Sequence, residues 1–192
     1  MGFLKKIAKK RKTETRKMIR KNGKRERKML EREFYAEQKA EFDAIEEERQ
    51  MLTDLQIIFF TALSELYGFG ETRIQRLAQN VMKIAGDMRD MGEWAYEDMR
   101  SQLAIETKYN LDTRHVRGDR EFQRRKKAVD RISLIYLWIL HEEFGFSKKR
   151  LTDTYHRCAM LATENDKGTR TVDDMREELR KRGFLFITRK AA

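Results

Sequence analysis

Proline is absent from this chain of 192 residues, and cysteine occurs only once, as Cys158. Without proline the chain lacks the residue that most strongly breaks helices, and Leu, Met, Glu, Lys and Arg, which favour helix, recur throughout. Strand-like alternation is confined to residues 184–188, a segment too isolated to build a sheet. A single cysteine excludes an intramolecular disulfide and fits a reducing compartment. The sequence therefore predicts an all-α protein of the cytoplasm.

Long apolar runs are also missing. The longest, residues 132–140, has about half of the roughly 20 residues that a membrane-spanning helix needs, so we expect a buried core helix there. The N-terminus matches a myristoylation signal only in part, because Lys6 stands where Ser or Thr is required. No uncharged apolar stretch follows, which argues against a secretory signal. We expect no integral membrane insertion.

Positive charge is present in excess and is unevenly distributed. The chain has 43 Lys and Arg against 32 Asp and Glu, a net charge of +11. Residues 1–30 carry 14 basic residues against Glu14 and Glu26, a net charge of +12, whereas residues 31–50 carry −5 and residues 51–192 carry +4. The excess is therefore confined to an N-terminal basic arm, and the rest of the chain is close to neutral.

The basic arm has little apolar surface with which to fold alone, since only Met18 and Ile19 are apolar between Lys9 and Lys28. Bound along a polyphosphate, it would release condensed counterions, and its affinity would fall steeply with salt. The arm therefore predicts binding to nucleic acid, DNA or RNA, through phosphate contacts. A solvated tail that aids solubility is the plainer alternative.

A membrane surface is another candidate partner for the start of the arm. Phe3, Leu4 and Ile7 can share one helix face, with lysines on the opposite face. The apolar face lasts only two turns before the sequence becomes polar. Peripheral membrane binding is therefore kept as an alternative.

A long helix is expected after the arm, because no helix breaker occurs between about Lys24 and Gly68. Tyr35, Phe42, Ile45 and Leu52 follow one another at steps of seven, three and seven, the spacing of a packing seam. The seam is short. It suits docking on the rest of the chain or a homodimer contact better than an extended coiled coil.

An internal duplication is indicated when the chain is compared with itself. Residues 66–74 realign with residues 143–151 at an offset of 77, and residues 98–103 realign with residues 174–179 at an offset of 76. Two blocks in the same order are hard to obtain by chance. We therefore expect a tandem duplication of a three-helix unit after the long basic helix.

The predicted copies cover residues 52–111 and 129–188. Their first helices are predicted at 52–67 and 129–144, their second at 71–88 and 148–163, and their third at 93–108 and 172–182. The predicted domains are the basic arm with the long helix (1–50), repeat 1 (51–112), a basic linker (113–128) and repeat 2 (129–192).

The turn between the first two helices of each copy has an aromatic-Gly-Phe sequence. Residues 66–70, Leu-Tyr-Gly-Phe-Gly, followed by Ile74 and Leu77, resemble the helix-hairpin-helix motif of DNA-binding proteins. The resemblance covers about a dozen residues per copy, with Ser147 in place of the second glycine in repeat 2. It implies that the first N–H groups of the second helix hold a DNA phosphate. The alternative is a helix cap that holds two core helices at a fixed angle.

The chain as a whole looks like a small accessory protein of Gram-positive phages or prophages. That resemblance rests on a short basic chain with a repeated aromatic-Gly-Phe turn, and it implies no site residues. It places the protein in the cytoplasm of a bacterial host cell. A second function is therefore considered, a protein-interaction module such as a phage inhibitor of a host nucleoprotein complex, of the anti-CRISPR type.

No catalytic or metal-binding set is recognisable. The three histidines, His115, His141 and His156, are scattered, and Cys158 aligns with Val81 of repeat 1, which predicts a small core residue. No phosphate-cradling Gly-rich loop is present. We expect no enzyme activity, no cofactor and no metal.

The two tryptophans are expected to be structural. Trp138 lies in the most apolar helix and is predicted to be core, and Trp94 is predicted to pack the third helix onto the second. An exposed Trp94 would favour a base-stacking role instead.

The predicted nucleic-acid-binding residues are the cations of the arm, of the turns and of the linker. They are Lys5, Lys6, Lys9, Lys10, Arg11, Lys12, Arg16, Lys17, Arg20, Lys21, Lys24, Arg25, Arg27, Lys28, Arg73, Arg114, Arg117, Arg120, Arg124, Arg125, Lys126, Lys127, Lys148 and Lys149.

Overall fold

A computed structural model describes Thr13 and residues 24–111 and 118–184 of the chain. Within these ranges every regular element is a helix and no strand occurs, so the all-α prediction is confirmed. The helices are α1 (Lys24–Tyr67), α2 (Glu71–Met91), α3 (Glu93–Thr107), α4 (Arg120–Phe144), α5 (Lys148–Asp166) and α6 (Val172–Lys181).

The chain divides after Gln50 into two compact units, and α1 contributes to both. In the first unit the described part is residues 24–50 of α1, where Tyr35 and Phe42 are 63% and 69% exposed. In the second unit residues 57–63 of the same helix are all buried, and Phe59 and Phe60 are 0% and 1% exposed. Burial therefore changes along one continuous helix.

Local sequence sets the start of the later helices. Asp119 caps α4, where its side chain accepts a hydrogen bond of 2.8 Å from the backbone N–H of Phe122. Thr171 and Asp174 form a reciprocal capping box at the start of α6. The capping hydrogen bonds lower the pKa of Asp174, a group already favoured by the helix dipole.

The N-cap at Asp119 places the start of α4 inside the predicted linker of residues 113–128. Because α4 begins at Arg120, nine residues of that segment are helical, and the described basic residues of the linker lie on α4.

Two aromatic-Gly-Phe turns end α1 and α4 in the same way. Gly68 has a φ of 61° and Gly145 a φ of 64°, the left-handed region that glycine adopts without strain. The backbone N–H of Phe69 donates to the carbonyl of Leu63 at 3.4 Å, and that of Phe146 donates to the carbonyl of Leu140 at 3.0 Å. Both turns are therefore helix caps, and both place a buried phenylalanine, 4% and 2% exposed, after the glycine.

The core of the second unit is built from apolar residues that recur at an offset of 77. Phe59 and Tyr136 stack at a centroid distance of 4.3 Å, and burial raises the pKa of the tyrosine hydroxyl. Val81 and Cys158 are likewise buried at matching positions, as the sequence predicts for the cysteine. Burial also raises the pKa of the Cys158 thiol, so this group is not an activated nucleophile.

We refer to residues 51–111 of this unit as the first half and residues 118–184 as the second half. The later helices of each half contact the first helix of the other half, an arrangement that we call the crossed order of the helices. Helices α2 and α3 of the first half pack on α4 of the second half. The side chains of α5 and α6, in turn, contact α1: Arg157 donates to Glu65 at 2.8 Å and Arg176 lies 3.7 Å from Asp54.

The tryptophans differ from their predicted roles. Trp138 is only partly buried and packs against the core from its edge. Trp94 is 64% exposed, so the prediction that it packs α3 onto α2 is wrong. Its neighbour Ala95 is the residue that turns inward, at 5% exposed. Phe184, the start of the strand-like segment, is buried and has no strand partner among the described residues, and residues 185–188 lie outside them.

Candidate nucleic-acid interface

Most of the predicted arm residues lie outside the part of the chain that the structure describes. This holds for the cations from Lys5 to Lys21, for Arg114 and Arg117 of the linker, and for the apolar residues Phe3, Leu4 and Ile7 of the membrane alternative. The last four arm cations begin α1, and only their helical backbone is described. They are Lys24, Arg25, Arg27 and Lys28.

The two aromatic-Gly-Phe turns lie side by side in the second unit. Tyr67 meets Phe146 edge-on at 4.8 Å, and Phe69 meets Phe144 at 5.0 Å. The hydroxyl of Tyr67 also donates a hydrogen bond of 3.0 Å to the carbonyl of Arg150. Because α2 and α5 begin directly after these turns, their N-termini are brought close to one another.

Cations surround the paired turns, where the helix-hairpin-helix resemblance places phosphate binding. Arg73 lies over the ring of Phe69 at 5.5 Å, and Arg150 lies over the ring of Phe146 at 5.6 Å. Lys148 and Lys149 are exposed and make no ion pair with any described residue. Three of the predicted site residues, Arg73, Lys148 and Lys149, thus follow the paired turns within the first residues of α2 and α5.

The two helix N-termini at the paired turns differ in charge. The first turn of α2 contains Glu71, whereas the first turn of α5 contains no acidic residue. A helix N-terminus carries a partial positive charge, which Glu71 offsets and the lysines of α5 reinforce. Of the two ends, that of α5 is the better place for an anion.

The basic residues of the predicted linker form a stripe along the start of α4. Arg120, Arg124, Lys127 and Arg131 follow one another at four, three and four residues, so they share one helix face of about 16 Å. Lys127 lies 2.7 Å from Glu93 of α3, and Arg131 also pairs with that carboxylate. Arg120 and Arg124 are exposed and pair with none of the described side chains.

The other two predicted cations of α4 are engaged within the helix. Arg125 pairs with Glu121 at 2.7 Å, and Lys126 pairs with Asp130 at 2.5 Å. Both are pairs of residues four apart, which contribute a few tenths of a kcal/mol to a helix. These two cations are therefore less available to a phosphate than Arg120 and Arg124.

Trp94 is exposed next to this stripe, but its neighbours carry negative charge. Glu93 precedes it, and Glu97 and Asp98 follow one turn later on the same helix face. A phosphate approaching the indole would meet these carboxylates. Glu93 and Glu97 are, however, paired with cations of the same chain, so these carboxylates do not exclude base stacking on Trp94, which stays a prediction.

A second group of cations forms ion pairs that link helices of the same chain. Glu65 of α1 accepts hydrogen bonds from Arg157 at 2.8 Å and from Arg170 at 2.7 Å. Burial raises the pKa of Glu65, but the two guanidinium groups outweigh it, so that the net pKa is lowered. Sequence reasoning missed this cluster, because its members are up to 105 residues apart in the chain.

One histidine and two carboxylates approach one another at the contact between α3 and α4. Nε2 of His141 lies 2.9 Å from Glu106 and 4.0 Å from Glu142, and Nδ1 faces the carbonyl of Phe146 at 3.0 Å. Such donors could hold a cation. Arg182, directly after α6, donates to Ser64 of α1 at 2.9 Å, and these two residues lie 76 and 77 positions from Glu106 and His141. We therefore regard the Glu106–His141 contact as a structural link.

Among the described residues, no helix combines the length and the apolar character needed to cross a lipid bilayer.

Comparison of the chain with protein-family models, with curated proteins and with solved structures found no match.

Proposed function

We propose that this chain is a nucleic-acid-binding accessory protein in which the basic arm, residues 1–28, supplies most of the affinity through phosphate contacts. One observation carries the proposal: residues 1–30 have a net charge of +12, whereas residues 51–192 have +4. Neutralising a row of phosphates is what such a segment does best. Neither DNA nor RNA is favoured by this chemistry, and sequence-specific contacts are not part of the proposal.

The ion pairs of the second unit support this division of labour. Many of its cations already face carboxylates of the same chain, as Arg157 and Arg170 do around Glu65. The exposed cations with no described acidic partner, such as Arg120, Arg124, Lys148 and Lys149, offer additional phosphate contacts on two faces. The helical unit would then set the geometry while the arm supplies the attraction.

The experiment is a salt series of binding measured by fluorescence anisotropy, with single-stranded and duplex DNA and RNA of one length. The full chain is compared with a variant in which the arm cations are replaced by Gln, so that length is kept. We expect binding at low salt to weaken by about 100-fold or more, and the slope of log affinity against log salt to flatten.

The matched control replaces Arg120, Arg124, Lys148 and Lys149 by Gln. These four exposed residues lie in the second unit, and their loss is expected to reduce the slope by no more than about three to four units. Affinity that is unchanged in the arm variant, or that falls only in the control, would contradict the proposal.

We also propose that the two halves are copies of one three-helix unit, with the second and third helices of each copy packed on the first helix of the other. The matching turns at Gly68 and Gly145 and the stacked pair Phe59 and Tyr136 support this. The Glu106–His141 and Arg182–Ser64 contacts support it as well, because their positions match at offsets of 76 and 77.

A second candidate function is protein interaction. Trp94 and Ile105 are 64% and 70% exposed and lie 11 residues apart, three turns along one face of α3. An exposed Trp is a frequent anchor of protein interfaces, and the acidic neighbours of Trp94 suit a basic protein surface better than a phosphate chain.

In this second reading the protein would be a phage-encoded inhibitor of a host nucleoprotein complex, acting in the bacterial cytoplasm. Pull-downs with and without nuclease separate the two functions. A partner that remains bound after nuclease treatment, and is lost in Trp94→Ala, favours protein interaction. Loss of every partner on nuclease treatment favours nucleic-acid binding.

A further inference from the structure

Two polar links in the second unit occupy matching sequence positions but differ in charge. Ser64 lies 77 positions before His141, and Arg182 lies 76 positions after Glu106. Each pair is in contact at 2.9 Å. The first link contains a guanidinium group, whereas the second has a carboxylate at the matching position. One link therefore has a permanent cation that the other lacks.

The carboxylates next to the two links differ in the same way. Glu65 accepts hydrogen bonds from Arg157 and Arg170, which neutralise it. Glu142, 77 positions later, forms an ion pair with no Lys or Arg of the described residues, and its side chain is 50% exposed. The chain thus supplies three arginines around the first link and none around the second.

The second link lies where two helices end. Glu106 is in the last turn of α3, and His141 and Glu142 are in the last turn of α4. Lys108, directly after α3, pairs with neither carboxylate in the described part of the chain. A helix C-terminus carries a partial negative charge, which favours a cation beside it. Two helix ends and two carboxylates therefore surround one imidazole.

The tautomer of His141 follows from its contact with the backbone of Phe146. The carbonyl of Phe146 can only accept a hydrogen bond, so Nδ1 of His141, 3.0 Å away, carries a proton and donates to it. Nε2 then points a lone pair at the carboxylate of Glu106, unless Nε2 binds a second proton or a metal ion. Histidines that bind metals usually donate their other ring N–H to a carbonyl or a carboxylate in this manner.

We propose that Glu106, His141 and Glu142 bind a Zn²⁺ ion where α3 and α4 end. Zn²⁺ takes imidazole nitrogen and carboxylate oxygen at about 2.0–2.2 Å, so tetrahedral ligand atoms are roughly 3.3 Å apart. The three ligand atoms here lie within 4.8 Å of one another, and both carboxylates are exposed enough to rotate toward an ion. An imidazole ligand favours Zn²⁺ over Mg²⁺ and Ca²⁺, which prefer oxygen.

The ion would supply the positive charge that Arg182 supplies at the other link. It would join the end of α3 to the end of α4, so an ion bound only by the folded chain would raise the stability of the protein. Glu106 and His141 are 35 residues apart, which explains why no metal motif is visible in the sequence. The proposal does not depend on nucleic-acid binding.

The first experiment is isothermal titration calorimetry of Zn²⁺ into the full chain, freed of nucleic acid and of metal. We expect one ion per chain and a much weaker response to Mg²⁺. Glu106→Gln and Glu142→Gln each remove a carboxylate ligand, and each is expected to weaken Zn²⁺ binding by about 10-fold or more. Since the amide of Glu106→Gln still accepts or donates a hydrogen bond at His141, this variant keeps the link between the helices.

Thermal unfolding gives a second measurement on the same proteins. Without metal, the wild type and both variants are expected to unfold at similar temperatures, because the substituted side chains are exposed. With Zn²⁺ present, the Tm of the wild type is expected to rise and that of the variants to rise much less.

The matched control replaces the other two histidines, His115 and His156, by Gln, and is expected to bind Zn²⁺ as the wild type does. Co²⁺ serves as a spectroscopic probe of the ligands. Because Cys158 is buried, we expect the Co²⁺ spectrum to lack the charge-transfer band of a thiolate ligand.

A wild-type chain that binds no Zn²⁺ overturns the proposal, and His141 would then be an imidazolium paired with Glu106. Equal affinity for Zn²⁺ and Mg²⁺ also overturns it, because the imidazole would not be a ligand. So does Zn²⁺ binding that is kept in Glu106→Gln and Glu142→Gln but lost in the histidine control.

Discussion

Phe59 and Phe69 in the first half lie 77 positions before Tyr136 and Phe146 in the second half. The rings of each pair are in contact between the halves. The polar positions around this centre differ instead. Glu65 holds two arginines, whereas Glu142, 77 residues later, is exposed. The comparison teaches that aromatic residues at this offset contact one another between the halves, whereas the polar contacts of the two halves differ.

The largest expected effect lies at the matched centre. Phe69→Ala and Phe146→Ala each remove a buried ring between the paired turns and are expected to lower the free energy of unfolding by about 3–5 kcal/mol. Urea denaturation measures both, and the two losses should agree within about 1 kcal/mol if the halves are equivalent there. The control Trp94→Ala is expected to change stability by about 0.5 kcal/mol or less. A loss of stability in only one of the two variants would show that the two halves are not equivalent at these positions.

The next effect contrasts Glu65 with Glu142. Glu65→Gln leaves Arg157 and Arg170, whose side chains are 21% and 19% exposed, without their shared carboxylate. We expect a loss of about 1–3 kcal/mol in chemical denaturation. Glu142→Gln is the matched control and should cost only a few tenths of a kcal/mol. Equal losses would show that the second half has its own charge cluster.

Glycine substitutions sharpen the comparison of the turns. Gly68→Ala and Gly145→Ala force a side chain into left-handed backbone and are each expected to cost about 1–2 kcal/mol, although both sites have open space for the new methyl group. Gly86→Ala, in the middle of α2 and also with open space, should instead stabilise the protein by about 0.5–1 kcal/mol. Thermal denaturation of the three variants shows whether each substitution lowers or raises the stability of the protein.

The smallest effect is the pH dependence of the Glu65 cluster. The folded-state pKa of Glu65 lies below its ordinary value of 4.5, so its contribution is complete above that value and is lost as the pH falls through the lowered pKa. The difference in stability between wild type and Glu65→Gln should thus shrink as the pH is lowered below about 4.5. A difference that stays constant down to the acid unfolding range would contradict this account.

The helices could be predicted closely because their ends have local signals. The turns at Gly68 and Gly145 and the cap at Thr171 are each encoded within a few residues. The observed helices end at the two turns, and α6 begins at the cap. The crossed packing could not be predicted. It depends on contacts such as Arg182 with Ser64, which are 118 residues apart and have no pattern in the sequence.

The sequence predicted which cations belong to the candidate interface. It did not predict which of them pair with carboxylates of the same chain. Arg120 and Arg125 look alike in the sequence, but Arg125 faces Glu121 one turn earlier and Arg120 has no described acidic partner. The sequence also failed to predict the exposure of Trp94. The apolar character of this residue predicts burial, but Ala95 takes the inward position and the indole is exposed.

The crossed order of the helices also bears on how the chain would respond to a protease. Each half completes its interior with helices from the other, so a single cut within residues 112–117 would separate the polypeptide without separating the folded parts. The nicked product would run as one particle on a sizing column and as two fragments only after denaturation. Two pieces made separately would for the same reason need each other to fold.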